Sequence, residues 1–169
     1  MRISFDLDEV LFVDPARFET EDPLPFPLNR IFIERLRKGT VRLINELQAQ
    51  GFEVWVYTSS FRSVRYINAL FRNYKVHFDQ IVNGHRHNEE VQGRTKEPLP
   101  QKMPGFYHIS LHIDDEDAIH ESGKARGFRT YKVCEPDDQW VEKVIAEANR
   151  VKELEERTRA AVLKQRNAE

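Results

Sequence analysis

Asp6 and Asp8 stand two residues apart, directly after the short run Ile3-Ser4-Phe5. Side chains two apart on an extended chain point the same way, so both carboxyls project into one space at the end of a short buried strand. Crowded carboxylates cost free energy unless a cation or a shared proton compensates. An Asp-x-Asp pair also occurs in ordinary surface turns, and its weight here comes from two later stretches. Val54-Trp55-Val56-Tyr57 runs into the hydroxyls of Thr58-Ser59-Ser60, and His112-Ile113 runs into Asp114-Asp115. Brought to one crevice, four acids repel strongly. A hard divalent cation resolves that, and Mg²⁺ takes a few carboxylates together with water and phosphate oxygens. The chemistry such a set fits is phosphoryl transfer. One carboxylate attacks phosphorus to give an aspartyl phosphate, and a second protonates the leaving oxygen and then deprotonates water. A hydroxyl and a lysine hold the equatorial oxygens.

Those residues meet only if their strands lie side by side and run the same way. The chain reads as strand 3–5, a proline-rich segment 12–37, helix 38–50, strand 52–57, helix 61–73 and a weaker strand 77–82. A loop 83–105, strand 107–113, helix 118–126, strand 128–133 and a long helix from Pro136 complete it. The first helix carries Val41, Leu43, Ile44 and Leu47 at helical spacing and stops at Gly51. The second is expected to bury Val64, Ile67, Ala69 and Leu70. Pro136-Asp137-Asp138 is a helix start signal, followed by the stripe Trp140, Val141, Val144, Ile145, Ala148, Val151 and Leu154. Alternation of this kind predicts an α/β fold of three layers, a parallel sheet of about five strands with helices on both faces. Ligands of such sheets sit outside the carboxyl ends of the strands. Residues 1–135 form the core in this reading, and 136–169 a helix packed on it with its charged end projecting.

The segment 12–37 holds Pro15, Pro23, Pro25 and Pro27 with Phe12, Phe18, Phe26 and Phe32 between them. Prolines at this density exclude a regular helix and oppose a central strand. Directly after the two acids, the segment reads as a small flap over a site; the plainer alternative is an ordered connection covering a sheet edge.

With 169 residues, 40% of them hydrophobic and 32% charged, the chain suits one globular domain with a real core. A formal net charge of −2 advertises neither a nucleic-acid nor a membrane partner. The one cysteine, Cys134, excludes an internal disulfide and fits a reducing compartment; it reads as structural. Met1-Arg2-Ile3 carries no signal-peptide pattern, and no apolar run approaches the roughly 20 residues that span a bilayer. Together these place the protein in the cytoplasm.

Phe5-Asp6-Leu7-Asp8-Glu9-Val10 resembles the first motif of the haloacid dehalogenase-like (HAD) phosphohydrolases, Asp-x-Asp-x-Thr/Val. Val54 to Thr58 is similar to their second motif, an apolar strand ending in Thr or Ser, and His112-Ile113-Asp114-Asp115 to their fourth, an apolar strand ending in paired acids. The resemblance spans about residues 1–133. It implies a Mg²⁺-dependent phosphomonoesterase with Asp6 as nucleophile and metal ligand. Asp8 is then general acid/base and gives its backbone carbonyl to the metal. Thr58, with Ser59 beside it, binds the phosphoryl group, Asp114 ligates Mg²⁺, and Asp115 assists directly or through water. The third motif is a lysine upstream of the fourth strand. Lys102, twelve residues before Asp114, is preferred, with Lys96 as the alternative. Neither 12–37 nor 83–101 is long enough for a large cap domain, so the resemblance implies a minimally capped, open site.

Two rivals belong to other classes: a HAD-like binding or regulatory module without useful turnover, and a receiver-like signalling domain. The latter fits less well, because there the phospho-acceptor ends a middle strand in chain order, whereas here the Asp pair ends the first. A phosphorylated small molecule is the default substrate, with nucleotides, sugar phosphates, a polynucleotide end and a phosphoprotein all within range; oligomeric state is open. His85-Arg86-His87 reads as surface loop rather than a transition-metal site, and His112 as a packing histidine. The plainer alternative for Ser59 and Ser60 is capping of the next helix, and for Arg62 and Arg65, which could also reach substrate, a solvated face.

Overall fold

The computed structural model describes residues 1–133 and 135–166; Cys134 and the last three residues of the long helix read above lie outside the described residues. Strands β1 (Arg2–Phe5), β2 (Glu53–Tyr57), β3 (Gln80–Val82), β4 (Leu111–Asp114) and β5 (Thr130–Lys132) form one sheet in the order β3-β2-β1-β4-β5. Every pairing is parallel. The first strand of the chain is therefore the middle strand of the sheet. The chain winds outward from it in both directions, so the switch in strand order falls between β1 and β4. In open α/β sheets a crevice opens there, at the carboxyl ends of the strands.

Period-two alternation sorts side chains onto the two faces. Ile3, Phe5, Val54, Val56, Leu111 and Ile113 enter the larger core. That core is completed by helices α2 (Thr40–Ala49), α3 (Val64–Asn73) and α6 (Trp140–Arg166). Trp55 and Tyr57 point the other way, into a smaller cluster with Val82, Val91, Tyr107 and Ile109. Helix α4 (Gly84–Glu90) and the segment after it cover that side. The fourth connection carries α5 (Asp117–Arg126), closed by Gly127 at φ +75°.

Helix α4 lies where a loop is expected. Asn83 caps it, its Oδ1 accepting from the Arg86 amide at 3.0 Å. The sequence 84–90 has no apolar stripe, and only Gly84 and His87 are buried, so periodicity gives no sign of it. Helix α3 starts at Val64 with Ser63, not Ser59 or Ser60, as its cap. Ile67, Leu70 and Phe71 are its buried residues, whereas Val64 is exposed and Ala69 half-buried. Strand β4 begins at Leu111 because Pro104 opens a 3-10 turn over Pro104–Tyr107 and His108 takes a left-handed conformation.

The flap is tied at its base by bridges Phe12↔Leu36 and Thr20↔Arg37. Phe12 stacks on Phe71, with ring centroids 5.6 Å apart. Phe18, Leu24 and Leu36 are buried as well, while Phe26 and Ile33 are each 74% exposed, flanking a single turn α1 (Leu28–Ile31). Helix α6 docks through Trp140, Val141, Val144, Ala148 and Val151, and Trp140 Nε1 donates to the Lys38 carbonyl at 2.7 Å. Gly39 makes this approach possible: φ is +89°, and a Cβ there would stand 2.7 Å from Val141 Cγ2. Leu154 is exposed, and from Glu156 onward so is every described residue of the helix. Among the described residues no helix is long and apolar enough to cross a membrane.

Candidate active site

Parallel pairing carries the ends of β1, β2 and β4 to one edge. The ladder continues one residue past β1, where the Asp6 amide donates to the Ile113 carbonyl at 2.9 Å. The chain then turns tightly, with the Leu7 carbonyl accepting from both Leu11 and Phe12 and with Glu9 at φ 59°. Asp6 is thereby buried beside β4, while Asp8 is left exposed at the mouth.

Lys102 is completely buried between two carboxylates. Its Nζ lies 2.6 Å from Asp114 Oδ2 and 3.0 Å from Asp6 Oδ1. The first contact is a hydrogen bond. The second has the distance of an ion pair without the alignment, so Asp6 Oδ1 is buried with no aligned donor. Asp114 Oδ2 also meets His112 Nε2 at 2.8 Å, and Asp114 Oδ1 accepts the Glu116 amide at 2.9 Å. Asp6, Asp114 and Asp115 bring one carboxylate oxygen each within 4.8 Å of one another.

Burial pushes the Asp6 carboxyl above its ordinary range, against the pull of the Lys102 ammonium. Burial would raise Asp114 too, but the hydrogen bond and charge of His112, with those of Lys102, hold it well below the usual carboxylate range. Asp115 is pushed up to about 6 by burial and by the neighbouring Asp114 charge. Burial alone would lower the Lys102 amine, yet the flanking Asp6 and Asp114 raise it. Three converging carboxyls beside a single ammonium are incompletely compensated. With oxygen donors only, one of them an unaligned Asp6 oxygen, they suit a hard cation rather than a thiophilic one.

Thr58 is buried at the end of β2. Its amide donates to the Val82 carbonyl at 2.9 Å, and its Oγ1 accepts the Ser60 amide at 3.1 Å. The half-buried Ser59 follows, and its carbonyl leaves no room for a Cβ at Gly84, which would stand 2.6 Å away. Arg62 crosses the mouth. Its Nη1 donates to Asp8 Oδ2 and to Ser60 Oγ, both at 2.8 Å, and its Nε to Glu34 Oε1 of the flap at 3.0 Å.

Asp6, Lys102, Asp114 and Asp115 are thus gathered into one cluster, with Lys96 exposed elsewhere. The Asp8 carboxylate stands apart, on Arg62; the resemblance assigns its backbone carbonyl, not its side chain, to a cation. Sequence reasoning missed His112 as a partner of Asp114, Ser4 beneath it, and Arg62. The first two had a signal: each stands two residues before a site acid, on the same strand face. A cavity of about 670 Å³ lies elsewhere, between the flap and the starts of α2 and α6, and no candidate residue lines it.

No protein-family model matches the sequence, and no curated protein is similar to it. Solved structures are similar in fold. A HAD-superfamily hydrolase of subfamily IA, variant 1, from Geobacter sulfurreducens PCA superposes with a TM-score of 0.51 at 13% identity, covering 80% of this chain and 90% of that one. A protein described as a predicted HAD-like family hydrolase, from Porphyromonas gingivalis, gives 0.51 at 14% identity over 88% and 97%. The fold is that of the HAD-superfamily hydrolases. A chain of the Pnkp1/Rnl/Hen1 complex matches at 0.50 and 13% identity, over 80% of this chain and 46% of that one. The strands expected to carry the motifs are β1, β2 and β4, which lie side by side and parallel in the sheet.

Proposed function

We propose that the protein is a Mg²⁺-dependent phosphohydrolase of HAD type, cleaving a small phosphomonoester through an aspartyl phosphate on Asp6 in the cytoplasm. The observation that carries this reading is the buried Lys102 ammonium between Asp6 and Asp114 at the edge that also holds Thr58. A buried lysine between two acids is expensive as a purely structural device, but it is what an incoming phosphoryl dianion needs.

In this mechanism an Asp6 oxygen attacks phosphorus and the bond to the ester oxygen breaks. Asp8, exposed at the mouth, is the carboxyl with access to both leaving group and water, and it gives its proton to the departing oxygen. Asp8 then takes a proton from water as that water attacks phosphorus, the bond to Asp6 breaks, and inorganic phosphate is released with the carboxylate restored. The Thr58 hydroxyl and the Lys102 amine hold phosphoryl oxygens, where transition-state charge accumulates. Asp6, Asp114 and Asp115, with the Asp8 backbone carbonyl, would hold Mg²⁺, which when bound would supply positive charge to the carboxylates and the phosphoryl group.

The test is hydrolysis of 4-nitrophenyl phosphate by the full chain, with Mg²⁺ and with chelator, beside Asp6→Asn. Turnover that needs Mg²⁺ and disappears in Asp6→Asn is expected. Absence of turnover, together with failure of Mg²⁺ and beryllium fluoride to bind in calorimetry, would overturn the reading.

A further inference from the structure

Lys102 rides on residues 95–103, which have no helix or strand. Carrying an ammonium out of water on such a segment is costly unless the chain beside it is fixed. The fixing contact is made by the next residue. The Met103 amide donates to the Tyr57 hydroxyl at 2.8 Å, and Tyr57 Oη lies 2.6 Å from His87 Nδ1. Upstream, the Gln92 side chain brackets the segment, accepting from the Leu99 amide and donating to the Glu97 carbonyl, each at 2.9 Å.

The hydroxyl has one proton. Its oxygen receives the Met103 amide, and His87 Nδ1 is the acceptor within reach of the O–H when that nitrogen carries no hydrogen. The hydrogen of the neutral ring is then on Nε2. Burial lowers the His87 pKa, which favours the neutral ring this arrangement requires. Tyr57 is fully buried on β2, immediately before Thr58, with its ring against those of His112 and Tyr107. One side chain thus links the strand that presents Thr58 to the segment that presents Lys102.

We propose that Tyr57 and His87 are positioning residues that seat Lys102 between Asp6 and Asp114. They act through the Met103 amide and touch neither carboxylate. The functional side of the proposal rests on the reading of Lys102 as part of the catalytic set.

The experiment uses the full chain and follows acylation of individual lysines by acetic anhydride, resolved by mass spectrometry. Tyr57→Phe keeps the ring and removes the hydroxyl. His87→Leu removes the acceptor, and His87→Gln retains one for Tyr57. Lys102 is expected to react at least tenfold faster in Tyr57→Phe and His87→Leu and close to the parent rate in His87→Gln, with the exposed Lys96 unchanged in all. Equal protection of Lys102 in folded Tyr57→Phe, or a parallel rise at Lys96, overturns the proposal. If Tyr57→Phe does not fold, the two His87 variants carry the same comparison. Hydrolysis of 4-nitrophenyl phosphate is measured alongside, and kcat should fall at least tenfold where Lys102 is unseated. A parent that binds no Mg²⁺ and turns nothing over defeats the phosphohydrolase reading alone, since the acylation pattern still decides the seat.

Discussion

His112 Nε2 reaches Asp114 Oδ2 at 2.8 Å, the same oxygen that takes Lys102 Nζ at 2.6 Å. On its other side His112 Nδ1 lies 2.8 Å from Ser4 Oγ. Ser4 and His112 are paired in register across β1 and β4. One layer below the two acids, the same strand faces therefore carry a hydroxyl and an imidazole, both fully buried. An acceptor-only carboxylate takes a hydrogen from Nε2, which orients the ring and turns Nδ1 toward Ser4. His112→Leu strips Asp114 of one donor and leaves the Ser4 hydroxyl without that partner. A loss of about 1–3 kcal/mol is expected in urea unfolding. Adding Ser4→Ala should cost less than the sum of the single changes, because the stranded hydroxyl goes with it.

Lys102→Met leaves Asp6 and Asp114 facing each other without an ammonium. Breaking a buried pair from one side costs about 3–5 kcal/mol, and that loss is expected at neutral pH in chelator. Asp6 already holds its proton more tightly than usual, so the deficit should shrink as pH falls and Asp6 becomes neutral. Thermal unfolding of the variant and parent at pH 5 and pH 8 checks both parts.

The fold and the acids were legible because they rest on local pattern. Short β-rich runs ending in Asp, Thr or paired Asp give strand and site together, and helix stop signals at Gly51 and Gly127 mark two boundaries. The partners of those acids were less visible, for two different reasons. His112 and Ser4 obey the same alternation as Asp114 and Asp6, yet a lone histidine or serine in an apolar strand carries no label until its neighbour across the sheet is known. Arg62 and Glu34 are brought together only by the return of the flap, a tertiary event that no periodicity encodes. Helix α4 escaped because its stability comes from the Asn83 cap and from contacts of Gly84 and His87, not from an apolar stripe.

The carboxyl cluster gives stability a pH dependence of defined sign. Folding raises Asp115 to about 6, above its unfolded value of about 3.9. Between those limits the folded state keeps a proton the unfolded chain has released, so stability falls as pH rises through about 6. Asp6 acts in the same sense. Asp114, held low, does the reverse: its contribution is present above about pH 4 and is lost only in stronger acid. In chelator, Tm should therefore decline from pH 5 to pH 7.5. Asp115→Asn should flatten that decline, and millimolar Mg²⁺ should offset it by binding the folded state.

Arg62 joins three parts of the molecule at once. It donates to Asp8, to Ser60 and to Glu34, lies over the Phe12 ring, and shares Glu34 with the Tyr66 hydroxyl. Because its side chain is partly exposed, Arg62→Ala should change global stability by only about 1 kcal/mol. The flap should loosen more than the fold does, since Glu34 loses a charged partner while Phe12 stays on Phe71. Trypsin cleavage after the exposed Arg30 reads this directly, and a several-fold faster cut is expected in Arg62→Ala. Arg62→Lys should be intermediate, because one ammonium cannot span Asp8 and Glu34 as a guanidinium fork does. Arg65→Ala, an exposed change on α3, should leave the rate alone. An unchanged rate in Arg62→Ala would mean that the apolar base of Phe12 and Leu36 alone holds the flap, leaving Arg62 to serve Asp8.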